Sequence, residues 1–375
     1  MFQEPSMTAP NLILSEFHEN MMPNKRVWQG IPSMEITKEG IMFAVFYSGG
    51  AGEECGNFLV LARRKRNADT WEEPCAIVVH PDKKVRCFDS NLWIDPLGRL
   101  WLTWAQSLDH FDGRCGVWAA ICDNPSADDL LFGEPFRIAD GVMMCKPTVL
   151  KNGTWLFPCA LWRVGFAGQK PSEEHNDLDS IRLSNVYSSV DNGKSFQLRG
   201  GADVPNRGVD EHMIIERNDG SLWMLVRRHD GLGESFSYDE GFTWEDSRFA
   251  GINGPDSRFF IRRLQSGNLL LINHFDFWGR NNLMAKLSLD DGKTWIGGLM
   301  IDTRKEVAYP DGCQEDNGLI HIIYDYDRYG EREILTAQFR EADILAGKLV
   351  SSDAIMKQIV SKATGCKPDN EKRPI

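Results

Sequence analysis

Ser237-Tyr238-Asp239-Glu240-Gly241-Phe242-Thr243-Trp244 is one of three copies of the pattern S-x-D-x-G-x-T-W in this chain. The others are Ser189-Val190-Asp191-Asn192-Gly193-Lys194-Ser195-Phe196 and Ser288-Leu289-Asp290-Asp291-Gly292-Lys293-Thr294-Trp295. In such a stretch the aspartate accepts backbone N–H bonds across its own turn. The glycine takes the left-handed position, and the last aromatic plugs between strands. Trp71-Glu72-Glu73-Pro74 and Phe132-Gly133-Glu134-Pro135 keep only the end of the pattern.

Outward from these turns, a second mark repeats six times: a glycine followed by a short apolar or aromatic strand. The glycines are Gly40, Gly98, Gly153, Gly220, Gly267 and Gly318, spaced by 58, 55, 67, 47 and 51 residues. Several follow Asp, Asn or Ser, the chemistry of a tight hairpin. A spacing near 50 residues is what a four-stranded blade needs. In every repeat but the last, the aspartate turn or its remnant follows the hairpin. Helical periodicity is absent until Glu341 to Gly347. The expected fold is all-β: a six-bladed β-propeller of four-stranded antiparallel blades, one domain over residues 1–375 with its core at about 26–340. The aspartate turns are read as structural, at the blade periphery.

The 375 residues are 42% hydrophobic and 26% charged, with a net charge of -12. That charge argues against a nucleic-acid partner, whose phosphates need a basic face. It leaves room for an anionic sugar held by a few arginines. No apolar run approaches a membrane span. Met1 to Leu14 lacks an export pattern, and the nine cysteines form no C-x-x-C or zinc-ligand spacing. A reduced cytoplasmic protein without metal or cofactor is expected, or an exported one if a leader has been removed.

The aspartate turns are the hallmark of the sialidase superfamily, and residues 26 to 340 resemble its bacterial and animal members blade by blade. The resemblance implies an exo-acting, retaining glycoside hydrolase that removes a terminal acidic sugar from a glycan partner. It places Glu211 and Arg227 on adjacent strands of one blade, Arg280 before the third aspartate turn, and Tyr309 before the last hairpin. Tyr309 matches the family nucleophile and Glu211 its base. A neutral phenol approaches an anomeric carbon bearing a carboxylate more readily than a charged carboxylate would. The acid falls in Gly49–Asn57, which offers Glu53 or Glu54, with Asp89 of the second blade as the alternative. Arg227 and Arg280 would clamp the substrate anion, with Arg262 or Arg263 facing the pocket, and His212 and Lys146 as further contacts. Trp162 and Trp278 lie in loops where they can stack on a sugar.

One departure stands out. The family carries an arginine before Ile-Pro, whereas this chain reads Gln29-Gly30-Ile31-Pro32. Arg26 or Lys146 is the candidate replacement, and Gly30→Arg is expected to restore affinity for sialic-acid-type ligands. Two other readings remain. A polysaccharide lyase would use arginine to neutralise a uronate, with His212, His229, His274 or Tyr309 abstracting a proton. A non-catalytic glycan-binding propeller would salt-bridge its carboxylates to Arg227 and Arg280.

Overall fold

The computed structural model describes residues 4–163 and 173–366. Six antiparallel sheets form the blades of a propeller. Blade I comprises Gln29–Ile36, Met42–Ser48, Phe58–Arg64 and Glu72–Val79, with Asn11–Ile13 added as a fifth strand at its outer edge. Blade II comprises Val85–Ile94, Leu100–Leu108, Gly116–Cys122 and Phe136–Ala139. Blade III comprises Thr148–Val149, Trp155–Ala160, Ser184–Ser189 and Gln197–Ala202. Blade IV runs through Met213–Glu216, Leu222–Arg228, Gly231–Ser237 and Arg248–Phe249. Blade V holds Phe260–Arg263, Leu269–His274, Leu283–Ser288 and Ile296–Asp302. Blade VI holds Val307–Gln314, Ile320–Tyr326, Glu333–Phe339 and Ile355–Lys362.

Each of the six hairpin glycines joins the innermost strand of its blade to the second, at φ between +82 and +89. A side chain other than glycine is disfavoured there. The aspartate turns join the third and fourth strands of blades III, IV and V. Asp239 Oδ1 accepts from Thr243 N at 2.9 Å and Ser237 Oγ at 2.8 Å, while Oδ2 accepts from Thr243 Oγ1 at 2.6 Å. The glycines of two turns press on the preceding blade, Gly193 against Trp101 and Gly292 against Trp223. No side chain would fit between. Blade VI lacks the turn and uses a short helix, Glu341–Ala346, ended by Gly347 at φ +66.

Apolar side chains facing neighbouring sheets fill the ring. Between blades II and III, Trp93 meets Trp155 edge-to-face at 4.9 Å, beside Trp101 and Phe157. Six of the nine cysteines are buried, and all nine are free thiols. No helix among the described residues is long and apolar enough to cross a membrane.

Blades I and VI close the ring through polar contacts centred on Ser361. Arg26, 2% exposed, pairs with Glu73 and donates to Ser361 Oγ at 3.1 Å and Met21 O at 3.0 Å. Gln29 Nε2 donates to the same Ser361 hydroxyl at 3.0 Å. Arg26 is therefore a ring-closing residue and does not replace the arginine missing at position 30.

Candidate active site

In blades I, II and VI the innermost strand carries one extra residue relative to its partner. The register shifts fall between Gly30 and Ser33, Phe88 and Asn91, and Ala308 and Asp311. Each bulge holds a non-glycine residue in the left-handed region: Ile31 at φ +57, Asp89 at +47 and Tyr309 at +55. Such a conformation costs about 1–3 kcal/mol per residue, and bulges re-aim side chains beside functional sites. All three turn into one cavity at the end of the ring.

That cavity, about 90 Å³, is lined by Ile31, Glu53, Arg86, Asp89, His110, Met144, Trp162, Val209, Glu211, Arg227 and Tyr309. Ile31, Asp89, Met144, Glu211 and Tyr309 share a signal. Each lies nine residues before the hairpin glycine of its blade. The sixth equivalent residue is Arg258, which does not line the cavity. Its guanidinium donates to the carbonyls of Met144 (3.0 Å), Pro32 (2.7 Å) and Tyr309 (2.9 Å), tying three blades together.

Glu211, 1% exposed, accepts from Arg227 Nη1 through Oε1 at 2.6 Å, while Oε2 is buried without a partner. Burial pushes its carboxyl above the ordinary value against the pull of Arg227, Arg258 and Arg280. Arg227 is oriented by Asp256, whose carboxylate lies 2.7 Å from Nε and whose carbonyl lies 3.1 Å from Nη2. Arg280 makes one bond, to the Asp256 carbonyl at 2.8 Å, and its guanidinium lies 5.2 Å from the Tyr309 ring.

The three acid candidates separate clearly. Asp89 is 4% exposed, and burial pushes its carboxyl up to about 7, with Glu53 and Glu211 adding to the rise. Glu53 pairs with Arg328 at 2.7 Å. Burial pulls its carboxyl upward, but Arg328 and Arg86 outweigh it and hold the group below its ordinary value. Glu54 caps its own loop through Ala51 N at 2.7 Å, is exposed and does not line the cavity.

Four expected site residues lie elsewhere. Glu54 is the first. Lys146 lies deeper in the ring, donating to Met34 O (2.7 Å) and Leu92 O (2.6 Å) and pairing with Glu35 (2.9 Å) and Asp311 (3.1 Å). It lies two residues beyond Met144, before the blade III strand begins at Thr148. Arg263 pairs with Asp291 and donates to Glu216 O at 3.0 Å, away from Tyr309. Its neighbour Arg262 lines the far end of the ring with Glu35 and Lys146. His212 is fixed between the carbonyls of Asp210 (3.2 Å) and Asn185 (2.8 Å), and burial lowers its pKa to about 4. His229 pairs with Asp256, and His274 faces Asn281 O. None of these three histidines lines the cavity.

Sequence reading missed Arg86, Arg328 and His110. Arg86 is 1% exposed, lies 3.6 Å from the Phe88 ring, and leaves Nε and Nη1 without hydrogen-bond partners. The hydroxyl of buried Tyr47 is also unpartnered. Arg328 enters from the turn after the second strand of blade VI, where no periodicity marks it. Its guanidinium stands 4.9 Å from the Tyr309 ring. Trp162 lines the cavity, whereas Trp278 is exposed and meets Lys305 at 4.6 Å.

The ring and its aspartate turns define a β-propeller of the BNR-repeat, sialidase-superfamily type. Residues 42–322 match the model of the BNR repeat-like domain, so the chain belongs to that family. No curated protein matches the sequence. Among solved structures, the Hadza microbial sialidase Hz136 superposes with a TM-score of 0.62 at 18% identity, covering 80% of this chain and 63% of that one. This chain thus spans less than two thirds of Hz136. A Dyadobacter fermentans protein of unknown function gives 0.66 at 16% identity, covering 84% and 94% of the two chains. The leech intramolecular trans-sialidase bound to 2,7-anhydro-Neu5Ac gives 0.67 at 13% identity, covering 89% and 71%. At these identities the likeness is one of fold.

Proposed function

We propose that this protein is an exo-acting, retaining glycoside hydrolase that removes a terminal acidic sugar, sialic acid or a related ulosonic or uronic acid, from a glycan. The observation that carries the reading is convergence. Tyr309, Glu211, Arg227 and Asp89 come from three blades and line one cavity. The guanidiniums gathered at this mouth let a chain of net charge -12 receive an anion.

In the first step the Tyr309 phenol oxygen attacks the anomeric carbon, and the free Oε2 of Glu211 takes the phenol proton. Asp89, held protonated near neutrality, gives its proton to the departing glycosidic oxygen. In the second step water attacks the glycosyl–tyrosine bond. The Asp89 carboxylate takes the water proton, and Glu211 returns its own to the phenolate. Arg227 and Arg280 hold the sugar carboxylate, while Arg86, which lines the cavity, presents unpartnered donors to its hydroxyls.

A panel of chromogenic sialosides and uronides tests the reading, with proton NMR of the first-formed anomer as the check on retention. Release of an unsaturated uronate absorbing in the ultraviolet, without hydrolysis, would decide for a lyase. Binding without turnover of any glycoside would decide for a glycan-binding propeller.

A further inference from the structure

Gly30 has an ordinary backbone conformation, so a turn does not explain its lack of a side chain. Space does. A Cβ at this position would stand 2.9 Å from Arg328 Cγ and 3.0 Å from Asp325 Oδ2, and closer still to Arg328 Cδ. The stem of Arg328 fills the volume that a residue-30 side chain would need. Two carboxylates steady it: Glu53 at 2.7 Å from Nη1 and Asp325 at 3.6 Å from Nε. Asp325 in turn accepts from Ile31 N at 2.8 Å, which fixes the bulged strand beside Gly30.

Three guanidiniums surround the Tyr309 ring: Arg258 at 5.5 Å, Arg280 at 5.2 Å and Arg328 at 4.9 Å. Their duties differ. Arg258 is committed to three carbonyls. Arg280 keeps most of its donors available. Arg328 binds Glu53, a carboxylate that is 29% exposed and that a ligand anion can displace.

We propose that Arg328 is a specificity-determining residue that recognises the carboxylate of the substrate from blade VI, and that Gly30 is glycine to admit it. Glu53 is its resting counter-ion, competing with the incoming anion. This rests on the acidic-sugar reading above. It reverses the expectation that Gly30→Arg strengthens binding: the new side chain would evict Arg328 from its place.

The test measures binding of free sialic acid and of glucuronic acid, each beside its methyl ester, by calorimetry, with melting temperature followed for every variant. Wild type should prefer an acid to its ester. Arg328→Met should lose that preference, weakening acid binding by about 10- to 100-fold with the ester unchanged. Gly30→Arg alone should also weaken acid binding, and Gly30→Arg combined with Arg328→Ala should regain it. Glu53→Gln should tighten it by removing the competitor. If wild type prefers acids but Arg328→Met binds them as well as before, the Arg328 assignment is wrong and the acidic-sugar reading stands. If wild type treats every acid and its ester alike, both fall. Should Arg328→Met not fold, Arg328→Gln and the Glu53→Gln arm decide, and an unchanged affinity in Glu53→Gln counts against the proposal.

Discussion

Glu211 and Arg227, sixteen residues apart on one hairpin, meet at 2.6 Å and leave the second carboxylate oxygen buried and unpartnered. One oxygen orients the group, and the other is available for a proton. Glu211→Gln keeps the shape and an acceptor for Arg227 but removes the base. Turnover of a cleavable glycoside should fall by about 10²- to 10⁴-fold, with KM moving much less. Equal losses in a variant that binds no substrate analogue would mean that the residue only builds the pocket.

Tyr309→Phe should retain ligand binding and lose turnover, since the ring still faces Arg280 and Arg328 while the attacking oxygen is gone. Mass spectrometry of wild type quenched with a fluorinated sialoside should show a glycosyl adduct on Tyr309. An adduct on another residue, or activity left intact in Tyr309→Phe, would remove it as nucleophile.

Asp89 carries a pH dependence whose sign follows from burial. Its folded-state pKa, about 7, lies above the unfolded value, so the folded protein holds more protons through the interval between roughly 4 and 7. Wild type therefore loses stability as pH rises through that window. Asp89→Asn cannot ionise, and asparagine tolerates the left-handed backbone at this position. The variant should gain on wild type as pH rises, by at most about 4 kcal/mol. It should lose turnover at every pH, while wild-type turnover should decline as pH rises through about 7. Urea unfolding at pH 4 and pH 8 checks the first outcome, and a pH–rate profile checks the second.

Lys146→Met separates ring integrity from chemistry. It leaves Glu35 and Asp311 buried without their cation, a change worth about 3–5 kcal/mol of stability. Acid-sugar affinity of the folded fraction should stay as in wild type, because Lys146 does not line the cavity. A selective loss of acid over ester binding would return it to the site.

Asp239→Ala should lower the melting temperature without changing kcat. Asp239 is held down to about 2 by its bonds to Thr243 and Ser237. That depressed pKa supplies stability above the unfolded value near 4, and the contribution is lost as pH falls toward 2. The melting-temperature gap between wild type and variant should therefore close in acid.

The fold was legible because its punctuation is local. A glycine at φ near +85 and an aspartate bonding across four residues are encoded within one turn, so Gly40 through Gly318 and Asp191, Asp239 and Asp290 can each be read without knowing the rest. The candidate site was legible where a residue rides on that punctuation. Asp89, Glu211 and Tyr309 stand at one offset from their hairpins, and the same offset points to Ile31, Met144 and Arg258. Lys146 misled because it is two residues off that position, enough to place it against Glu35 and Arg262 in a different cavity. Arg262 and Arg263 were ambiguous for the complementary reason, since neighbouring residues face opposite sides and nothing in the pattern says which. Arg328 was illegible. It reaches the mouth from a turn, and its partner relationship is with the absence of a side chain at Gly30, a kind of contact that leaves no residue type to recognise.

Six equivalent positions, one per blade, thus form an alphabet separate from the grammar of the blades. Ile31, Asp89, Met144, Glu211, Arg258 and Tyr309 share a backbone address and differ in everything that matters to a ligand. Hairpin glycines, aspartate turns and tryptophan wedges repeat because they specify the ring, and they are indifferent to what is written at that address. Arg258 excepted, since it ties three blades together, the reaction of such a molecule can be rewritten one letter at a time, with the cost of a misspelling confined to the mouth. Ile31 and Met144, the two apolar letters, are where a new word would be started.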